Sequence, residues 1–410
     1  MTELTKLAWR NLWRNRRRTL ITLAAVALSV MLVQAFHNLS FGVYREMINA
    51  GVRAGSGHLA IYHRNYLPDR DEKLLWPAGD LPQRIAGIPG VVTALPRLYL
   101  AGLAQSSRES RGIVLTGVDP ELEARFNPFL RHMVSGDPVE GARGRKVIVG
   151  ERLLRELKLR PGQKLVITVQ SRDGELRSEL FRIGGVVRTN LKEVDASLVL
   201  AERHIVAGLS ADRDGIHTLS ILLANPKDDR RVGPRIEELI AGSDLRLVSW
   251  DEAMPNLANA IRLDYASQKF IFVIILLIVT IGVVNTQLMA VMERMREFGV
   301  LLALGTRPAR LRRLILLEGT LLGILAGLAG SILGSLVTLY LVEVGIDLRD
   351  FVPETLEFGG VVFDPVLKAG WDVPYMAGIV LFVALLALLA GLYPARKAGR
   401  IQPVAAMRAR

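Results

Sequence analysis

The chain has 410 residues, half of them hydrophobic, and a formal charge of +12. It is too apolar for an ordinary soluble enzyme and too charged for a wholly embedded protein, so membrane spans plus a water-exposed domain are expected. With no cysteine, disulfides, thiolate catalysis and cysteine-ligated metal are excluded, while the compartment stays open.

In chain order, residues 1–18 are basic, with Lys6, Arg10, Arg14, Arg16, Arg17 and Arg18. The run TLITLAAVALSVMLVQAFHNL (19–39) reaches the ~20 helical residues that a bilayer crossing needs. It is longer than the apolar core of a signal peptide, and it reads as an uncleaved span. Residues 1–40 are thus a cytoplasmic segment and the first span.

Residues 41–269 form an outer domain of alternating short elements. GHLAIYH (57–63) reads as a strand and DLPQRIAGIPG (80–90) as a short helix. VVTALPRLYLAGLAQ (91–105) and RGIVLTGVD (111–119) read as strands. KVIVG (146–150) leads into an amphipathic helix, 151–159, ended by Arg-Pro-Gly. Strands over 164–170 and 175–187 are joined by the hairpin signal Asp173-Gly174. Strands at 197–201, 216–224 and 244–250 and a helix at 228–241 follow. Two β–α–β units, 57–118 and 214–250, bracket a β-rich insert, 119–213. A stalk helix over 251–268, matched by one over 38–56, leads back to the membrane.

Residues 270–410 carry three further spans, 270–289, 314–341 and 374–393, with a short acidic outer loop at 344–373 and a basic tail. The fold class is an α-helical membrane protein with four transmembrane helices plus a large α+β extracytoplasmic domain. Charge sets the direction. Segments 1–18, 293–313 and 395–410 hold 17 basic and three acidic residues, leaving 35 basic and 37 acidic elsewhere. Four spans put all three segments on one side, which the positive-inside rule makes cytoplasmic. Both termini are then cytoplasmic and the large domain outside. The basic residues flank membrane ends, which argues against nucleic acid and for anionic lipid as a partner.

No HExxH, G-x-S-x-G or Gly-Lys motif occurs, so neither a catalytic constellation nor a nucleotide or metal site is expected. His58 and His63 are five apart, on opposite faces of a strand, and read as packing or surface groups.

Between the second and third spans lies VMERMREFGVLLALGTRPARLRRLILLEG (291–319). Met292, Met295, Phe298 or Gly299, and Leu302 recur at helical spacing, and Glu293, Arg294, Arg296 and Glu297 fill the other faces. Gly305 offers a helix stop and Pro308 a new start. The segment reads either as a solvated linker or as a lever that fits a groove on a soluble partner. In the third span Gly319, Gly323 and Gly327 recur every four residues, followed by Gly330 and Gly334. They mark packing within the four spans or a seam with a second copy. Asn285, Thr286 and Gln287 read as interhelical hydrogen-bonding groups.

REFGVLLALGTRPARLRRLILLEGTLLGILAGLAGSILG (296–334) resembles the signature of the FtsX-like permease domain of ABC transporters. LAWRNLWRNRRRTLITLAAVALSV (7–30) and YPARKAGRIQPVAAMRAR (393–410) resemble that family's two ends. The resemblance implies a MacB-like or LolC/LolE-like permease subunit of the bacterial inner membrane. Its outer domain would have a porter-like part (57–118 and 214–250) and a sabre-like insert (119–213). It implies a coupling helix at 293–305, involving Glu293, Arg294, Arg296, Glu297, Phe298, Gly299, Leu302 and Gly305, that docks on an ATPase dimer. ATP and Mg would be bound by that partner, with no cofactor in this chain. A second permease copy or paralogue and a periplasmic chaperone or adaptor are further implied partners. Three roles follow from the resemblance: extraction of lipoprotein or other lipid-anchored cargo, MacB-like efflux with an adaptor, and FtsX-like signalling to a cell-wall hydrolase.

Overall fold

The computed structural model describes residues 3–189, 192–348, 357–358, 361–362 and 366–400. The expectations placed on Arg408 and Arg410 lie outside the described residues. The chain divides into a helical unit (1–45, 263–348 and 366–410) and an outer unit (46–262 and 349–365).

Among the described residues, four helical segments are long and apolar enough to cross a membrane. They outrun their apolar runs, because nothing in the sequence stops a helix where lipid ends. The first-span helix is Arg16–Gly51, and residues 52–56 continue as one wide π-turn. The second is Pro255–Glu293. The expected stalk at 251–268 is therefore not a separate helix. A short turn, Trp250–Ala253, breaks at Met254 (φ −123°, ψ 65°), a residue that Pro255 keeps out of helical geometry. From Pro255 the helix runs unbroken into the span. The third-span helix, Pro308–Glu343, starts at a proline after an extended Arg307. The fourth, Val373–Ala398, passes through Pro394 rather than ending before it.

The five glycines of the third span all face neighbours in the same chain. An added Cβ would overlap the Gln287 amide at Gly319, the Ala387 methyl at Gly323 and the Ala27 carbonyl at Gly330. At Gly334 it would crowd Gln34, and at Gly327 it would touch Val380. Helices pack this closely only through small residues, and in lipid such packing substitutes for the hydrophobic effect. Polar bonds add to it. Asn38 donates to Thr338 Oγ1 (3.0 Å) and Gln34 to the Ser331 carbonyl (3.2 Å). Of the expected polar trio, Thr286 accepts from Thr22 across helices (3.3 Å), but Asn285 is exposed. Gln287 is buried with no partner for either amide atom among the described residues.

In the outer unit, ten strands form one sheet among the described residues. Its key is the long strand Val91–Gln105. The first part pairs antiparallel with Thr218–Leu223, which in turn pairs with Leu59–His63. The second part pairs with Ser110–Val118 and with Lys164–Gln170. Ser110–Val118 also runs parallel to Leu198–Glu202, so a strand expected in the first β–α–β unit belongs to the sheet of the insert. Two cores result. One gathers Ile61, Ile85, Leu219, Ile221, Val232 and Ile236, and the other Leu100, Leu115, Val147, Ile167, Phe181 and Val199. The Asp173-Gly174 hairpin forms with Gly174 at φ 88°. The sequence pattern does not predict several elements, among them the helices Pro120–Phe126, Lys192–Ser197 and Arg203–Leu209 and the strand Met133–Gly136. Asp119 ends no strand. It caps the first of those helices by accepting from Glu121 N and Leu122 N.

Arg97, 1% exposed, sits where that long strand changes partners. Its guanidinium pairs with Glu123 (2.9 Å) and donates to the carbonyls of Gly55 and Arg53 and to Ser220 Oγ. Glu123 also accepts from Asn127 (2.7 Å). One buried cation thus ties the turn at 52–56 to the sheet and to the helix Pro120–Phe126. Removing one partner strands the other charge, which costs about 3–5 kcal/mol. Arg97→Leu should therefore destabilise the outer unit by about that much, and Arg97→Leu with Glu123→Leu by much less. Thermal unfolding of the purified variants checks this, and a single-variant loss below about 1 kcal/mol would contradict it.

Candidate functional site

The basic end of the helical unit carries the segment that reads either as a solvated linker or as a lever. Glu3–Leu12 is an amphipathic helix that the sequence pattern does not predict. A 3-10 turn, Trp13–Asn15, follows, and Thr19 Oγ1 closes the bend by donating to the Leu12 carbonyl (2.6 Å).

The expected helix at 293–305 is shorter, Met295–Ala303. The second-span helix ends at Glu293, and Arg294 (φ −104°, ψ 12°) turns the chain. At the far end Gly305 adopts φ 90°, with Thr306 N donating to Leu301 O (3.0 Å) and Gly305 N to Leu302 O (3.1 Å). This is a glycine-terminated helix stop, and a side chain at 305 would be strained there.

Most of the expected docking residues face their own chain. Phe298 is 1% exposed and packs with Val291, Leu311, Ile315, Ala395 and Ala398. Gly299 is buried and Leu302 half-buried. Arg294 is buried, lies over the Phe298 ring (4.9 Å) and pairs with Glu318 (3.0 Å). Asn11 donates to the same Glu318 (2.6 Å). Arg14 Nη1 donates to both oxygens of Glu297 (2.8 and 2.9 Å), and Arg18 pairs with Glu293 (2.7 Å). The N-terminal segment and the third span therefore grip the short helix through charge. Between them is a cavity of about 270 Å³, lined in part by Arg14, Gln287, Arg294 and Glu318.

What remains outward is Arg296, Val300, Leu301 and Leu304, the last 78% exposed, with Arg307 and Arg310 beyond. The sequence pattern does not single out Val300, Leu301 or Leu304. In GVLLALG every position is apolar or small, so periodicity could not say which face the core would take.

The hydrogen bond from Arg14, reinforced by its charge, holds the Glu297 carboxyl below the usual carboxylate range. Its contribution is present above the ordinary glutamate pKa and is lost as pH falls through the lowered one. The site offers charge pairing and an apolar contact. Among the described residues no three His, Asp or Glu side chains could jointly hold a metal ion. His58 and His63 accept backbone N–H groups, from Leu223 (3.0 Å) and Asn65 (3.3 Å).

The FtsX-like permease C-terminal profile matches residues 269–403, and the MacB-like periplasmic core domain profile matches 19–239. The chain belongs to the FtsX-like, MacB-type permease family of ABC transporters. Members of this family are permeases that work with an ATPase. This one is a membrane protein with a MacB-like periplasmic core domain. It is 24% identical over 327 residues to the lipoprotein-releasing system transmembrane protein LolC of Neisseria meningitidis serogroup B, covering 78% of each chain. It is 24% identical to the pyoverdine export ATP-binding/permease protein PvdT of Pseudomonas entomophila, covering 99% of this chain and 60% of that protein. Among solved structures, the periplasmic region of MacB from Actinobacillus actinomycetemcomitans aligns with a TM-score of 0.37 and 13% identity, over 50% of this chain and 95% of that one.

Exposed ion pairs are each worth about 0–1 kcal/mol, so the grip of Arg14 and Arg18 on the short helix is local and reversible. Arg14→Glu should raise amide exchange across Met295–Ala303 without changing global unfolding. Arg14→Glu with Glu297→Arg should restore protection. Hydrogen-exchange mass spectrometry reads both, and unchanged exchange in the single variant would show that the pair does not hold the helix.

Proposed function

We propose that this chain is the permease subunit that couples ATP hydrolysis by a separate ATPase to the extraction of lipoprotein, or other lipid-anchored cargo, from the bacterial inner membrane. The observation that carries the reading is the coupling helix, anchored to the spans by the buried Phe298 and Arg294 with Arg14 and Arg18 at its rim, while Arg296, Val300, Leu301 and Leu304 face away. A helix that is rigid against its own spans transmits a push, and an apolar patch rimmed by arginine suits a groove on a soluble motor. Glu297, Phe298 and Gly299 then act as positioning residues behind that surface. Two permease chains, identical or paralogous, over two ATPase chains would give each motor one lever, and a periplasmic chaperone would receive the cargo.

The relation to LolC over 78% of both chains supports the lipoprotein reading. Export through a periplasmic adaptor is the second reading, supported by the match to PvdT across 99% of this chain. The FtsX-like signalling role has no such specific support.

The deciding experiment reconstitutes the chain and its ATPase in liposomes loaded with acylated lipoprotein. ATP should release the acylated cargo. Release of soluble small molecules alone would favour export, and stimulation of ATP hydrolysis by neither cargo would sink both transport readings. Leu304→Asp should lower cargo-stimulated ATP hydrolysis at least ~10-fold, since an apolar side chain of this size contributes about 1.5–3 kcal/mol when buried at a contact.

Orientation has its own test. The cysteine-free sequence permits single-cysteine labelling. An impermeant reagent should reach a probe near residue 150 from outside the inner membrane and miss one near residue 300. The opposite result would overturn the cytoplasmic placement of the coupling helix.

A further inference from the structure

The outer unit contains a cavity of about 560 Å³, larger than the one beside the coupling helix. Tyr66, Tyr99, Phe129 and Met254 form part of its wall, and Arg70 and Glu72 are its charged side chains. This size is in the range of small-ligand sites, which are mostly apolar with a few placed polar groups.

The aromatic wall is held in place before any ligand arrives. Tyr62 stacks on Tyr66 (5.5 Å, 10°), Tyr66 on His217 (5.1 Å, 28°), and Tyr99 on His217 (6.5 Å, 26°). His217 is fixed at both ring nitrogens. Nδ1 accepts from Tyr99 N (3.1 Å), which leaves Nε2 to donate to the Glu72 carbonyl (3.0 Å). Burial lowers the His217 pKa, so the ring is neutral. Burial also pushes the Tyr99 hydroxyl up to about 12, so that ring adds no charge.

Arg70 stands out against this wall. Among the described residues its guanidinium has no ion pair, although its charge is felt by Tyr62, Tyr66 and Tyr99. Its backbone is left-handed (φ 48°), held by Arg70 N donating to Tyr66 O (2.7 Å). A non-glycine residue is mildly strained at such a helix stop, as Lys158 and Ala211 also are. The other charge, Glu72, already accepts from Ala101 N (2.8 Å). Burial raises its pKa, which eases protonation and reduces its repulsion of an anion.

We propose that this cavity binds an amphipathic anion, its apolar body against the tyrosine wall and its single carboxylate or phosphate on Arg70. The ligand class follows from the exposed, unpaired cation beside a mostly apolar aromatic wall. The site lies wholly within the outer unit, and its existence does not depend on the cargo proposed above.

The test uses the full chain in phosphatidylcholine nanodiscs with hexadecanoic acid carrying a diazirine. After photolysis, peptide mapping should place label on the segments around Tyr66–Glu72 and Tyr99–Ala101. An alkylamine of the same length, also bearing a diazirine, should not label them. Arg70→Glu should cut labelling at least ~10-fold, the scale of one lost charge-assisted contact. Arg70→Gly relieves the left-handed backbone, so it should lose labelling while keeping or raising the melting temperature. A purely structural arginine would not give that combination. Displacement of the probe by lysophosphatidate assigns the head group to a phospholipid, and resistance to it assigns a free carboxylate. Equal labelling by the amine, unchanged labelling in Arg70→Glu, or label confined to other segments would each overturn the proposal.

Discussion

A guanidinium cannot give up its proton inside a protein, so wherever a fold buries one it must supply acceptors. Both units use this constraint to fix a helix end. In the helical unit Arg294 sits at the break between the second span and the short helix Met295–Ala303, with Glu318 as its acceptor and Phe298 beneath it. In the outer unit Arg97 takes Glu123 and the carbonyls of the turn at 52–56. Neither arginine is free to move without leaving an unpaired charge. Each therefore turns a flexible junction into a defined one.

That rigidity matters for a permease. Under the proposed coupling, a push from the ATPase is useful only if the element that receives it does not yield. Arg14 and Arg18 add a second layer, binding the N-terminal segment to Glu297 and Glu293 at the surface, where water weakens each pair. The arrangement is firm at the buried Arg294 and adjustable at its rim. Glu297 and Phe298 hold the short helix in position, while Val300, Leu301 and Leu304 are left exposed.

The glycine ridge of the third span has a similar role in lipid. With no hydrophobic effect to drive helices together, close approach comes from small residues and buried polar bonds. Gly319, Gly323 and Gly330 admit the second, fourth and first spans in turn, and Asn38 and Gln34 add hydrogen bonds. One helix thus organises the other three, and it is the helix that carries Glu318.

The sequence by itself determined the local and the additive properties. The four spans, their charge asymmetry, the hairpin at Gly174 and the stop at Gly305 follow from composition, periodicity and backbone sterics within a few residues. Boundaries that depend on a stop signal being absent did not show, and so the stalks merged with the spans. Only the tertiary structure decided which partner each charge would take. Arg14 and Glu297 are 283 residues apart, and Arg97 reads in sequence as one more polar residue in a strand. Likewise, GVLLALG does not reveal which of its faces the core will claim, because every face is apolar. Pairing and facing are set by long-range packing, and packing is a property of the whole chain rather than of any window of it.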